Sequence, residues 1–180
     1  DFKITETPVD SLSPQNWTDV VPHRPNCLIR STVLFVDYLV RLEREAALPR
    51  IVIRDLLTDR EHTISFDEEA YDLSLHPGYE YATTVLRFAY SSPKTPQRIY
   101  DYDMATRERV LRKKQEIPSG HDPEEYVCRR VMAPSHDGVE IPVTILHRED
   151  TAIDGSAAML LYGYGAYGHA IPAAFSPNVF

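Results

Sequence analysis

Two stretches of this chain repeat one another. Ile51, Asp55 and Thr58 recur as Ile99, Asp103 and Thr106, each 48 positions later, with Arg60-Glu61 beyond the first set and Arg107-Glu108 beyond the second. Each set lies in a series of four short strand-like segments. The first series covers 28–36, 38–44, 50–55 and 62–66. The second covers 71–76, 84–90, 98–103 and 109–112. Turn-forming clusters separate them, among them Leu57-Thr58-Asp59-Arg60, His76-Pro77-Gly78 and the stretch 91–96 with its two prolines. Four short strands per unit, at a period of roughly 40–50 residues, is the pattern of a β-propeller blade. An antiparallel sandwich with a coincidental hairpin match is the alternative. Blades bury their faces by stacking, so two blades alone leave apolar surface uncovered. The chain also opens without Met, on Asp1-Phe2-Lys3-Ile4, which reads as the inside of a strand. Both features lead to the expectation of a piece of a longer protein.

The flanks follow other patterns. Residues 2–9 read as one strand ended by Pro8. Residues 11–25 read as a polar connection with prolines at 14, 22 and 25, pinned to the core by Trp17 and Val20-Val21. Residues 115–125 are polar, with two prolines and a glycine, and read as a linker. Beyond them, strands over 126–132 and 140–147 flank Ser135-His136-Asp137-Gly138, where Asp-Gly marks a hairpin. A charged loop over 148–156 then leads into Ala157-Ala158-Met159-Leu160-Leu161-Tyr162. This short unbroken apolar run reads as a strand buried on both faces, as in a parallel sheet. It opens into a loop with Gly163, Gly165 and Gly168 interleaved with Tyr164 and Tyr167. The ends of such strands are where α/β enzymes place their chemistry.

Composition narrows the partners. Fourteen prolines, eleven tyrosines and seven glycines favour strands and loops over long helices. A net charge of -8 argues against nucleic acid, which needs a basic face. No apolar run approaches the roughly 20 residues of a membrane span. Cys27 and Cys128 stand in no motif and are expected as buried reduced thiols, which fits a cytoplasmic setting. The seven histidines show no metal-ligand spacing, and no metal or other cofactor is expected.

The glycine loop has two readings. Gly163, Gly165 and Gly168 fit the dinucleotide pattern G-x-G-x-x-G, which works only where the last glycine opens a helix that holds the pyrophosphate. Pro172 and Pro177 follow too soon for that. The other reading is a resemblance. Tyr162-Gly163-Tyr164-Gly165 after an apolar run, preceded by Asp137-Gly138-Val139-Glu140-Ile141-Pro142-Val143, resembles the prolyl oligopeptidase family of serine peptidases. The run from Tyr90-Ser91-Ser92-Pro93-Lys94-Thr95-Pro96 through Arg98-Ile99-Tyr100-Asp101-Tyr102-Asp103-Met104 is similar to the last propeller blade of its oligopeptidase B branch. Trp17-Thr18-Asp19-Val20-Val21-Pro22-His23-Arg24-Pro25 is similar to the entry of an earlier blade.

The resemblance implies a mainly β piece: the last blades of a propeller over 1–117, a linker over 118–125, and the first strands of an α/β-hydrolase domain over 126–180. It implies a serine oligopeptidase acting on oligopeptides with basic residues, cutting after Arg or Lys, with a propeller that restricts access. Tyr164 would donate its hydroxyl to the oxyanion hole, and Tyr167 would line the substrate pocket. Family members carry a nucleophilic Ser in a G-x-S-x-G-type elbow, then Asp, then His. No such elbow occurs here, so the chain by itself is expected to be inert and to depend on the rest of the same polypeptide. A non-catalytic β-rich binding module, with the tyrosine loop as its contact, is the alternative in another class. His136-Asp137 is explained by its turn rather than by catalysis. His169 is expected to be structural, and Arg112-Lys113-Lys114 reads as a solvated strand end.

Overall fold

The computed structural model describes residues 2–179. The chain forms two compact units, one up to residue 64 and one from residue 65 onward.

The first unit holds two antiparallel sheets. The smaller pairs β1 (Ile4–Glu6) with β2 (Thr18–Val21). The larger is a four-stranded meander of β3 (Cys27–Leu34), β4 (Tyr38–Glu45), β5 (Leu48–Asp55) and β6 (Glu61–Thr63), in that order across the sheet. Strand alternation divides it into two faces. Val40 lies opposite Ile53 and Leu42 opposite Ile51, and these four are buried. On the other face Arg41 lies opposite Val52 and Glu43 opposite Arg50. The residues expected as a single strand over 2–9 keep strand pairing only at Ile4–Glu6, and part of the expected connection pairs with them as β2. Trp17 does not pin this segment to the core. Its ring is 52% exposed, and its indole N–H donates to the Leu12 carbonyl at 3.2 Å, a partner near the surface.

The second unit repeats the meander with β7 (Asp72–Leu75), β8 (Val85–Ser91), β9 (Arg98–Asp103) and β10 (Arg109–Lys114). Leu73, Leu86, Phe88 and Met104 are buried in it. Phe66 stacks on Tyr90 at 4.9 Å between ring centroids, and Arg109 lies over both Phe66 and Tyr100 at 5.3 and 5.1 Å. The β8–β9 connection is a buried turn rather than a surface loop. Ser92 and Thr95 exchange backbone hydrogen bonds, and the Ser92 hydroxyl accepts a further one from the Thr95 N–H at 2.9 Å.

The repeat seen in the sequence is a repeated turn. Asp55 Oδ1 accepts from the N–H groups of Leu57 and Thr58, each at 2.9 Å. Asp103 Oδ1 accepts from Ala105 at 2.9 Å and Thr106 at 2.7 Å. Each turn then places one residue in the left-handed region, Asp59 at φ 60° and Arg107 at φ 66°. The backbone closes alike, with Asp55 N–H donating to Arg60 O and Asp103 N–H to Glu108 O. An Asp that binds amide groups two and three residues ahead makes the turn with its own side chain.

After β10 the chain passes through a short 3-10 turn (Pro123–Glu125) into a hairpin of β11 (Tyr126–Pro134) and β12 (Glu140–Arg148). Ser135, Asp137 and Gly138 form its turn as expected: Gly138 stands at φ 81°, and Asp137 Oδ1 accepts from Val139 N–H at 3.2 Å. The strand expected over 157–162 does not form. Its residues are exposed and carry no strand pairing, with Leu160 at 85% of full exposure. A strand buried within a sheet needs neighbouring strands to pair with and a layer covering each face. Here β11 and β12 pair with each other, and among the described residues no strand follows Arg148.

Candidate active-site loop and the charged clusters

The loop that carries Tyr164 turns on two successive left-handed residues, Tyr167 at φ 55° and Gly168 at φ 66°. His169 N–H donates to the Ala166 carbonyl at 3.1 Å and closes the turn. The Tyr164 and His169 rings meet edge to face, with centroids 6.2 Å apart and planes at 70°. Tyr164 is 52% exposed and Tyr167 93% exposed, so both phenols face outward from the loop. Gly168 is favoured by its φ, and a Cβ at Gly163, Gly165 or Gly168 would meet nothing within 4 Å. No helix follows Gly168: residues 169–176 are irregular and lead into a 3-10 turn at Pro177–Val179. A pyrophosphate cradle needs a helix N-terminus at that point, so the dinucleotide reading falls.

The most polar interior lies elsewhere, on the charged face of the first meander. Arg41 and Glu43 are both almost fully buried. Arg41 Nε donates to Glu43 Oε1 at 2.9 Å, and its two terminal nitrogens grip Glu61 at 2.7 and 3.0 Å. Arg50 donates to Glu43 Oε2 at 2.9 Å. Burial alone would raise the Glu43 pKa, but the hydrogen bonds from Arg41 and Arg50 outweigh it and hold the carboxyl below its usual range. Cys27 is buried beside it, its thiol 3.4 Å from Glu43 Oε2. Burial, then the Glu43 charge, pushes the thiol pKa up, which makes it a poor nucleophile. Cys27, Arg41, Glu43 and Glu61 border a cavity of about 430 Å³ together with Arg24 and Arg54. Every charge there faces an opposite one, so the cluster fixes structure rather than supplying chemistry.

Sequence patterns passed over this cluster because Arg41 and Glu43 sit two apart on a strand, where charged residues ordinarily mark a solvated face. The second meander has a related device on its surface. Asp101 accepts from Arg87 at 2.7 and 2.9 Å and from Arg112 at 2.7 Å, and these bonds lower its pKa. Arg112 is thus tied into the blade, while Lys113 and Lys114 are exposed. Cys128 is half-buried rather than buried. Burial, with Glu68 and Glu69 nearby, pushes its pKa up to about 11. Both cysteines are free thiols. Among the described residues, no group of three His, Cys, Asp or Glu side chains could hold a metal, and no helix is long and apolar enough to cross a membrane.

The family model for the N-terminal β-propeller domain of prolyl oligopeptidase matches residues 1–115. Dipeptidyl aminopeptidase BI of Pseudoxanthomonas mexicana is 40% identical over 97% of this chain and 24% of its own length. Protease 2 of Moraxella lacunata is 26% identical over 98% of this chain and 25% of its own length. Among solved structures, oligopeptidase B from Trypanosoma brucei with covalently bound antipain superposes with a TM-score of 0.81 at 28% identity, covering 91% of this chain and 24% of that one. Oligopeptidase B from Leishmania major gives the same TM-score at 26% identity over the same shares. The chain spans about a quarter of the length of these relatives. With its two repeated four-stranded units matched by the propeller model, and solved relatives superposing over nine-tenths of its length, this chain belongs to the prolyl oligopeptidase family, close to oligopeptidase B.

Proposed function

We propose that this chain is part of a serine oligopeptidase that cleaves short peptides after Arg or Lys through an acyl-enzyme. The observation that carries the reading is the continuity of the similarity, which runs through both meanders and on past the tyrosine loop in one order. On this reading residues 1–117 are the last part of the propeller, 118–125 the linker and 126–180 the start of the hydrolase domain. The two free thiols fit a reducing, cytoplasmic setting.

The nucleophile, its Asp and its His come from the rest of the same polypeptide. The serine Oγ gives its proton to the His and attacks the scissile carbonyl, a C–O bond forms, and the carbonyl oxygen takes up negative charge. The C–N bond then breaks, the leaving amine receives a proton from the His, and water releases the acyl group. Tyr164 supplies a donor to that oxygen. A phenol O–H donates one hydrogen bond, and that bond strengthens as the oxygen gains charge. Tyr167, beyond the second glycine of the loop, lines the substrate pocket. The propeller admits short peptides and excludes folded proteins.

A second reading of the specificity rests on the 40% identity to a protein named as a dipeptidyl aminopeptidase: release of dipeptides from free N-termini. The test is labelling with a fluorophosphonate, followed by turnover of two substrate sets. One set carries blocked N-termini and internal Arg or Lys. The other is made of dipeptidyl amides. Labelling with cleavage of the blocked basic peptides supports the oligopeptidase. Cleavage of the dipeptidyl amides alone supports the exopeptidase. No labelling of the protein that carries this chain refutes both and leaves the binding module.

A further inference from the structure

Among the described residues, no strand covers the outer edge of β11, the first strand of the hairpin. β11 pairs with β12 along its whole length on one side. In an antiparallel pair, alternate N–H groups point away from the partner. Arg130 has such an N–H, and it donates to Glu69 Oε2 at 2.8 Å. The other oxygen of the same carboxylate takes Arg129 Nη1 at 2.9 Å. One side chain thus holds two successive residues of β11, one through its main chain and one through its side chain.

Glu69 stands in the connection just ahead of β7, some 60 positions earlier in the chain. The Arg130 amide, then the Arg129 guanidinium, hold its carboxyl below the usual range. Neighbouring contacts brace the β8–β9 turn from the connection ahead of β7 and from the chain that follows the meander. Glu68 Oε1 accepts from the Thr95 hydroxyl at 2.6 Å, and His121 Nε2 meets the Lys94 carbonyl at 2.7 Å. Gln97 and Gln115 bond each other twice, at 2.8 and 3.2 Å. The Glu69 bonds differ from these in reaching β11 itself.

We propose that Glu69 is a latch: it seats β11 on the second meander by capping its open edge, and release of this carboxylate lets the hairpin lift away. A carboxylate suits the task. It accepts only, so it satisfies an edge N–H without templating a further strand. Both partners are partly exposed, Arg129 at 63% and Glu69 at 44% of their side chains, so water competes for the bonds and the latch opens and recloses.

The test is residue-resolved hydrogen exchange on the protein that carries this chain, comparing wild type with Glu69→Ala, Glu69→Gln and Arg129→Ala. In Glu69→Ala the Arg130 amide exchanges about tenfold faster or more, while amides of β8 and β9 keep their rates. Glu69→Gln keeps an acceptor oxygen and gives an intermediate rate. Arg129→Ala leaves the main-chain bond and changes the Arg130 amide little. Proteolytic nicking of residues 115–125 rises in Glu69→Ala. An Arg130 rate unchanged in Glu69→Ala overturns the proposal. So does an equal rise across β8 and β9, which would make Glu69 a general structural residue rather than a latch.

Discussion

At the scale of single residues, Glu43 is the most consequential side chain of the first unit. It is 2% exposed and charged, and it accepts from two arginines on its own sheet. Removing it leaves only Glu45 and Glu61 to face Arg24, Arg41 and Arg50, with Arg41 almost fully buried. Glu43→Ala should therefore cost about 3 kcal/mol in urea unfolding. The pH dependence has a definite sign. The folded state holds this carboxyl below its usual range, so the unfolded chain takes up the proton first. The contribution of Glu43 is fully present above the ordinary carboxylate pKa and is lost as pH falls through the lower folded value. The stability gap between wild type and Glu43→Gln should be widest near pH 7 and narrow under strong acid. A gap that widens with acid would show that the carboxyl is not held charged. A buried pair that replaces apolar contacts is not recognisable from alternation, since Arg41 and Glu43 look like any solvated strand face until β5 and β6 are laid beside them.

At the scale of elements, turns decide what could be read in advance. The Asp55 and Asp103 turns were legible because their chemistry is local: one side chain binds the amides it needs within three residues. The Asp137-Gly138 hairpin was legible for the same reason. The β4–β5 hairpin was not. Its two turn residues are Ala46 and Ala47, at φ 47° and 65°, and nothing about Ala-Ala announces a turn. Two-residue hairpins of this hand favour Asn-Gly, because alanine strains in the left-handed region. The pairing of β4 with β5 over eight residue pairs imposes the conformation from outside the turn. Ala46→Asn with Ala47→Gly should therefore stabilise the protein by about 1 kcal/mol in thermal or urea unfolding. A loss of stability would mean that the alanine methyl groups make contacts worth more than the strain.

At the scale of the whole molecule, the blades were legible from their period, whereas the run 157–162 was misread, because pairing as a strand needs partner strands that apolar character alone does not reveal. The run 157–162 is as apolar as a buried strand, yet it lies exposed with no strand beside it. Such a run on the surface is a site for association. The chain expressed by itself should self-associate on size exclusion, and Leu160→Asp with Leu161→Asp should shift it toward monomer. No shift would place the association elsewhere. Tyr164 lies three residues beyond Leu161, on a loop whose geometry depends on where that run is seated. The central claim therefore turns on Tyr164 in the protein that carries this chain. The measurement is steady-state turnover of a peptide substrate by wild type and Tyr164→Phe, with kcat and KM resolved. If the hydroxyl stabilises the tetrahedral oxyanion, kcat falls about 10²–10³-fold while KM changes little. If kcat is unchanged, or only KM rises, Tyr164 is no oxyanion donor, and the loop serves binding alone.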